Sequence, residues 1–166
     1  INNFTHKKLY KNGKITFVRL PVAKALKEIQ TELTSIGYNL KIFDAYRPFH
    51  VSKKMWELIH DPRYVADPSK GSGHNRGLAL DLTIIDLKTG REVNMGTDFD
   101  NFTDSAHHDF QDLPQDVLEN RILLKHVMES HGFNALETEW WHYSWPDNRN
   151  YEVLDLGFRT LLKPYF

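Results

Sequence analysis

The chain has 166 residues, enough for one substantial core, and balances 21 Lys+Arg against 22 Asp+Glu, so no long-range field draws it to nucleic acid or an anionic membrane. It has no cysteine, which excludes disulfides, thiolate metal sites and cysteine nucleophiles; any metal must be held by His, Asp or Glu, and nine histidines are present. No run approaches the roughly 18 to 20 apolar residues needed to cross a bilayer, and no basic region followed by an apolar stretch stands at the start. The sequence begins at Ile1 and not at Met, so removal of something upstream is expected, and one domain is expected over residues 1–166.

After a polar start, VAKALKEIQTELTSIG places Val22, Ala25, Leu26, Ile29 and Leu33 at helical spacing, with Gly37 as the stop. YNLKIFDAY alternates apolar and polar residues and predicts a strand. A second helix follows over FHVSKKMWELIH, with Pro48 in its first turn. DPRYVADPSKGSG reads as a loop of the length that often carries function. LALDLTIID predicts a strand, and Thr89-Gly90 a hairpin turn to a partner strand around Glu92 to Asn94. From Pro114 a third helix runs with Val117, Leu118, Ile122, Leu123 and Val127 inward and ends before Gly132. ETEWWHYSW reads as a last strand before the polar turn PDNRN. This order predicts an α+β domain with a central, mainly antiparallel sheet flanked by helices.

Within SGHNRGLALD, His74 and Asp81 are candidate metal ligands. A catalytic zinc needs three protein ligands plus water, so two are not enough. Asp81 stands amid Leu80, Leu82 and Ile84 and needs a reason; the alternatives are that it caps a turn or pairs with Arg76. EWWH adds Glu139 and His142. Alone, this match is weak, and its plain alternative is a buried His with an exposed Glu. Together His74, Asp81 and His142 supply three ligands of the right type, which leaves Glu139 as a general base. Arg47, at the end of a strand, is either a surface ion-pair partner or a donor to a developing oxyanion.

Five segments in this order, DAYRP, SGHNRGLALDLT, MGTDFDNF, SAHH and EWWHY, resemble the zinc D-alanyl-D-alanine dipeptidases of the vancomycin-resistance type, within the wider D,D-peptidase group. NNF near the start matches too, and the family's segment ahead of it, with a tyrosine of the substrate pocket, has no counterpart in this sequence. The resemblance implies one Zn2+ per chain on His74, Asp81 and His142, in a cleft over the sheet. It implies Glu139 as base and Arg47 at the transition state. Ser72 and Asp100 would bind the free amino group of a small dipeptide substrate, D-Ala-D-Ala.

His107 and His108 are expected to orient a ligand or shape their loop, not to bind zinc, since three ligands plus water complete such a site. One of Trp140 and Trp141 is expected in the core and the other in the pocket wall, whereas His126 and His131 suit a helix C-terminus. Alternatives are a D,D-carboxypeptidase or peptidoglycan endopeptidase with the same ligands, and a non-catalytic zinc-stabilised binding module. No nucleic acid or membrane span is expected, and oligomeric state is left open. A periplasmic location, where hydrolysis would recycle wall fragments or supply D-alanine, is expected ahead of a cytoplasmic one serving glycopeptide resistance.

Overall fold

The computed structural model describes residues 15–61 and 67–163. The NNF segment lies outside these residues, as do residues 62–66 in the first half of the DPRYVADPSKGSG loop. Helix α1 (Leu20–Ser35) turns Val22, Ala25, Ile29 and Leu33 into the core, with Leu26 half-buried beside them. Val22, Ile29 and Leu33 are fully buried, which contributes about 1.5–3 kcal/mol each. The chain then forms β1 (Tyr38–Asp44), α2 (Phe49–Leu58), the four-residue α3 (Gly73–Arg76) and β2 (Ala79–Asp86). A 3-10 turn at Asp104–Ala106, α4 (Gln115–Ser130), β3 (Asn134–Leu136), β4 (Glu139–Ser144) and α5 (Phe158–Leu161) complete it.

The four strands pair antiparallel in the order β1-β2-β4-β3, in keeping with the expected α+β class. On the central strand β2, Leu80, Leu82 and Ile84 join the core that α1 and α4 cover, and alternation sends Asp81 and Thr83 to the opposite face. Two irregularities shape that face. On β1, Ile42 opposes Leu82 and Asp44 opposes Asp81, so Phe43 is an extra residue. Such a bulge turns consecutive side chains to one side. On β4, one step of β3 from Ala135 to Leu136 spans the interval from Tyr143 back to Glu139.

Three expectations need correction. The partner strand at Glu92–Asn94 is a single bridge between Ile85 and Glu92, because the chain bends away toward α4 after Asn94. Pro48 immediately precedes α2 as its N-cap and is not within the first turn. In α4, Ile122 is 66% exposed and Leu118 only half-buried, while Val117, Arg121, Leu124, Val127 and Met128 form the inner face. Arg121 takes an inward position because three backbone carbonyls there need a donor.

The C-terminal segment, which carries no motif, is laid along the edge of the molecule that holds α2 and α3. Leu154 N donates to Asn75 O at 2.9 Å and Phe49 N to Leu154 O at 3.1 Å. The Tyr46 hydroxyl donates to Leu156 O and accepts from Leu156 N, at 3.0 and 2.9 Å.

Candidate active site

Antiparallel pairing places Asp44, Asp81 and His142 directly opposite one another on β1, β2 and β4, so their side chains share one face. Asp81 Oδ1 lies 2.9 Å from His142 Nδ1. His74 reaches the same point from α3. That helix is held by a capping box: Ser72 Oγ accepts from Asn75 N at 3.3 Å, and Ser72 N donates to Asn75 Oδ1 at 2.9 Å. Gly77 ends the helix at φ 69, a left-handed geometry costly for residues with a Cβ, and the chain enters β2 directly.

The His74 ring is oriented by Ala45, whose carbonyl accepts from Nδ1 at 2.7 Å. A carbonyl only accepts, so Nδ1 carries a proton and Nε2 is the nitrogen turned toward Asp81 and His142. Nε2 lies 3.3 Å from His142 Nδ1 and 3.5 Å from Asp81 Oδ2. One donor atom from each of His74, Asp81 and His142 therefore lies within 4.8 Å of the others, an arrangement that could hold a metal ion. Two imidazoles and a carboxylate are the donor set a zinc or similar ion takes in a catalytic site. Asp81 is buried, which opposes its ionisation, yet the adjacent His74 and His142 more than offset this and hold its carboxyl well below the usual carboxylate range. Arg76 instead caps α3 through Ser72 O and holds Tyr151 O, so it is not the partner of Asp81.

Glu139 is 6% exposed, which excludes the reading of a solvent-facing carboxylate. In a regular strand, residues three apart point to opposite faces; the irregular end of β4 brings Glu139 Oε2 within 3.8 Å of His142 Nδ1. Burial pushes its carboxyl up to about 8, with His142 and Arg47 opposing and Asp81 and Asp100 reinforcing the shift. Such a carboxyl exchanges protons near neutral pH, as a general acid or base must.

Arg47 is no surface residue. Its side chain is 11% exposed, with Nε and Nη2 on Asp44 Oδ2 at 2.8 and 2.7 Å, and Nη2 3.8 Å from Asp81 Oδ2. Its backbone N donates to His74 O at 3.1 Å, and Asn75 Nδ2 donates to Arg47 O at 2.8 Å, so the backbone of Arg47 is tied to that of His74 and to the side chain of Asn75. Ser72 and Asp100 are both half-buried; Asp100 stands at φ 61 in the loop after β2, near enough to Glu139 to affect its charge.

Both tryptophans belong to the core, and Trp140 also reaches a cavity wall. Trp141 is 1% exposed and packs edge-on against Phe99 and Trp140. Trp140 donates from Nε1 to Thr97 Oγ1 at 2.8 Å and, with Phe43, Thr83 and Phe99, lines a cavity of about 460 Å³. His107 and His108 belong to their loop: His108 N donates to Glu137 O at 2.9 Å and its ring lies against Tyr143, while His107 O accepts from Arg121. His131 follows α4 and its Nδ1 lies 2.9 Å from Val127 O, a contact suited to a helix end.

Asp44 escaped the sequence reading, although its charge three residues from Arg47 was the available signal. Ala45 O, Asn75 and Arg121 left none, since a backbone carbonyl, a buried amide and an inward arginine have no distinctive pattern.

Residues 1–158 match a family described as D-ala-D-ala dipeptidase. The D-alanyl-D-alanine dipeptidase of Escherichia coli (strain K12) is 33% identical over 163 residues, covering 98% of this chain and 83% of that protein. Those of Enterococcus faecalis (strain ATCC 700802 / V583) and Enterococcus faecium are 33% and 31% identical, covering 86% and 74% of this chain and 80% and 69% of theirs. A family match over almost the whole sequence, on a chain whose folding gathers two histidines, an aspartate and a buried glutamate, places this protein in the D-Ala-D-Ala dipeptidase family.

Proposed function

We propose that the protein hydrolyses D-Ala-D-Ala with a zinc ion held by His74 Nε2, the Asp81 carboxylate and His142 Nδ1. The observation that carries this reading is the convergence of those donors beside the buried Glu139, with Arg47 Nη2 3.8 Å from Asp81 Oδ2. Zinc, when bound, supplies Lewis-acid polarisation of the scissile carbonyl and of water. Glu139 takes the proton from the attacking water and passes it to the nitrogen of the leaving D-alanine. Arg47, fixed by Asp44, donates hydrogen bonds to the oxygen of the scissile carbonyl as it gains charge.

Asp100 pairs with the substrate's ammonium, and Ser72 helps. The Ser72 hydroxyl proton goes to Asn75 Oδ1 at 3.0 Å, and a lone pair remains to accept from the ammonium. A clamp of this kind selects a free amino terminus, because an acylated nitrogen leaves the carboxylate desolvated and unpaired.

A panel of D-Ala-D-Ala, its three stereoisomers and N-acetyl-D-Ala-D-Ala, assayed with and without a chelator, tests the proposal. Chelator-sensitive hydrolysis confined to free D-Ala-D-Ala is expected. Preference for the acetylated substrate would replace the dipeptidase reading with a D,D-carboxypeptidase. Turnover unaffected by complete metal removal would overturn the zinc assignment. Glu139→Gln should retain metal and lose about 100-fold to 10,000-fold in kcat.

A further inference from the structure

Arg121 is buried on α4, 4% exposed, outside the proposed reacting groups, and all three of its hydrogen-bond partners are backbone carbonyls. Nε donates to Met95 O at 2.7 Å, Nη2 to Ser105 O at 2.8 Å and Nη1 to His107 O at 3.1 Å. These carbonyls are not neighbours in sequence. Met95 opens the loop that crosses toward the site and Ser105 and His107 close it. Asp100 stands near its middle.

We infer that Arg121 is a positioning residue for substrate binding: its guanidinium ties the two ends of the loop Met95–His107 together and so holds Asp100 at the place where the substrate's ammonium is bound. The inference rests on the reading of Asp100 as that clamp. A planar fork of donors sets three acceptors in one fixed geometry, which a single ammonium point charge cannot reproduce. Burial lowers the guanidinium only to about 10, so it is a full cation at neutral pH and its bonds are charge-assisted.

Contacts on either side of Arg121 act in the same direction. Asn120 Nδ2 donates to Asn94 O at 2.9 Å, just ahead of the loop. Gly96 is drawn so close to the start of α4 that a Cβ there would meet Val117 Cγ1 at 2.9 Å and Leu113 Cδ2 at 3.0 Å. Thr97 receives the indole N–H of Trp140, the neighbour of Glu139, so the loop is tied to α4 at its ends and to β4 near the base. Asp100 itself sits in left-handed backbone, φ 61, a region that costs residues with a Cβ some energy, though aspartate less than most. A clamp has to be held to within about 0.5 Å of its working position to select one ammonium geometry. Loosening the loop ends therefore weakens binding before it touches the chemistry.

The test compares Arg121→Lys, Arg121→Gln, Asp100→Asn and the double variant in metal-loaded, full-chain protein, with circular dichroism and bound metal checked first. Arg121→Gln is expected to raise KM for D-Ala-D-Ala about tenfold, the equivalent of one charged hydrogen bond, with kcat held within about threefold. Arg121→Lys, which keeps the charge but not the fork, falls between it and wild type. The preference for D-Ala-D-Ala over its N-acetylated form shrinks in Arg121→Gln as in Asp100→Asn, and the double variant is no worse than Asp100→Asn alone. Amide hydrogen exchange over residues 97–104 quickens in Arg121→Gln and Arg121→Lys. A raised KM in Asp100→Asn with wild-type KM in both Arg121 variants overturns the inference and leaves the Asp100 reading standing. Unchanged KM and amine preference in Asp100→Asn overturn the Asp100 reading itself. Loss of metal, or kcat falling as far as KM rises, in both folded Arg121 variants shows a general structural role and also overturns the inference. Should Arg121→Gln fail to fold, Arg121→Lys and its exchange pattern decide.

Discussion

Asp44 lies outside the set of proposed metal ligands, yet replacing it by Asn should impair both turnover and metal binding. Its Oδ2 accepts from Arg47 Nε at 2.8 Å and pairs with Nη2 at 2.7 Å, and among the described residues Asp81 also lies near that guanidinium, 3.8 Å away. Asn leaves the guanidinium charged and removes only the charge of the acceptor, which forfeits about 1 kcal/mol at each of two bonds out of the roughly 1.5–3 kcal/mol that a charged hydrogen bond contributes. A loss of about 2 kcal/mol in the aim of Arg47 corresponds to a fall of about 30-fold in kcat/KM. The freed guanidinium then moves toward Asp81 and competes with the metal for its carboxylate, so metal affinity falls too. Steady-state hydrolysis of D-Ala-D-Ala and metal analysis after dialysis measure the two effects. Because Asp44 acts through Arg47, Asp44→Asn should add nothing to Arg47→Met. A single variant within twofold of wild type, or a further loss on the Arg47→Met background, would refute the reasoning.

His142→Ala should lose bound metal on dialysis while wild type and Glu139→Gln keep theirs; stoichiometric metal in His142→Ala contradicts its assignment as a ligand. His108 supplies a pH prediction. Burial, followed by the charge of Lys125, lowers its pKa to about 4, against about 6.5 for an unfolded chain. The unfolded state therefore takes up a proton first as pH falls: stability is full above about pH 6.5 and declines toward pH 4. The ceiling is about 3 kcal/mol at 1.36 kcal/mol per unit, and solvent around a partly exposed ring reduces the expectation to about 1 kcal/mol between pH 7 and pH 5. Urea unfolding at the two pH values should show a smaller fall in His108→Gln than in wild type; equal falls dismiss the idea.

Long, periodic elements were legible from residues alone. α1 declares itself through Val22, Ala25, Ile29 and Leu33, and β2 through the alternation around Asp81. The residues that converge at the site were legible as a chemical set, because an aspartate among Leu80, Leu82 and Ile84 is costly unless something uses it. What escaped was of another kind. An amphipathic pattern puts Ile122 inward and gives no sign of a buried arginine, whereas three backbone carbonyls draw Arg121 to the inner face and Ile122 turns outward. The bulge at Phe43 and the slip between β3 and β4 leave no mark on hydropathy, and they decide which side chains share a face. Four residues of α3 are too few for any periodicity to show, and its capping box pairs Ser72 with Asn75.

The segment around Leu154 and Leu156 fastens Asn75, Tyr46 and the first turn of α2, the immediate neighbours of His74 and Arg47. Chains are made from the N-terminus at about 5–20 residues per second. Every residue of the proposed chemistry is thus synthesised before the stretch that locks two of them in place. A chain ending just after His142 would carry all the reacting groups and lack the stretch that fastens the neighbours of His74 and Arg47.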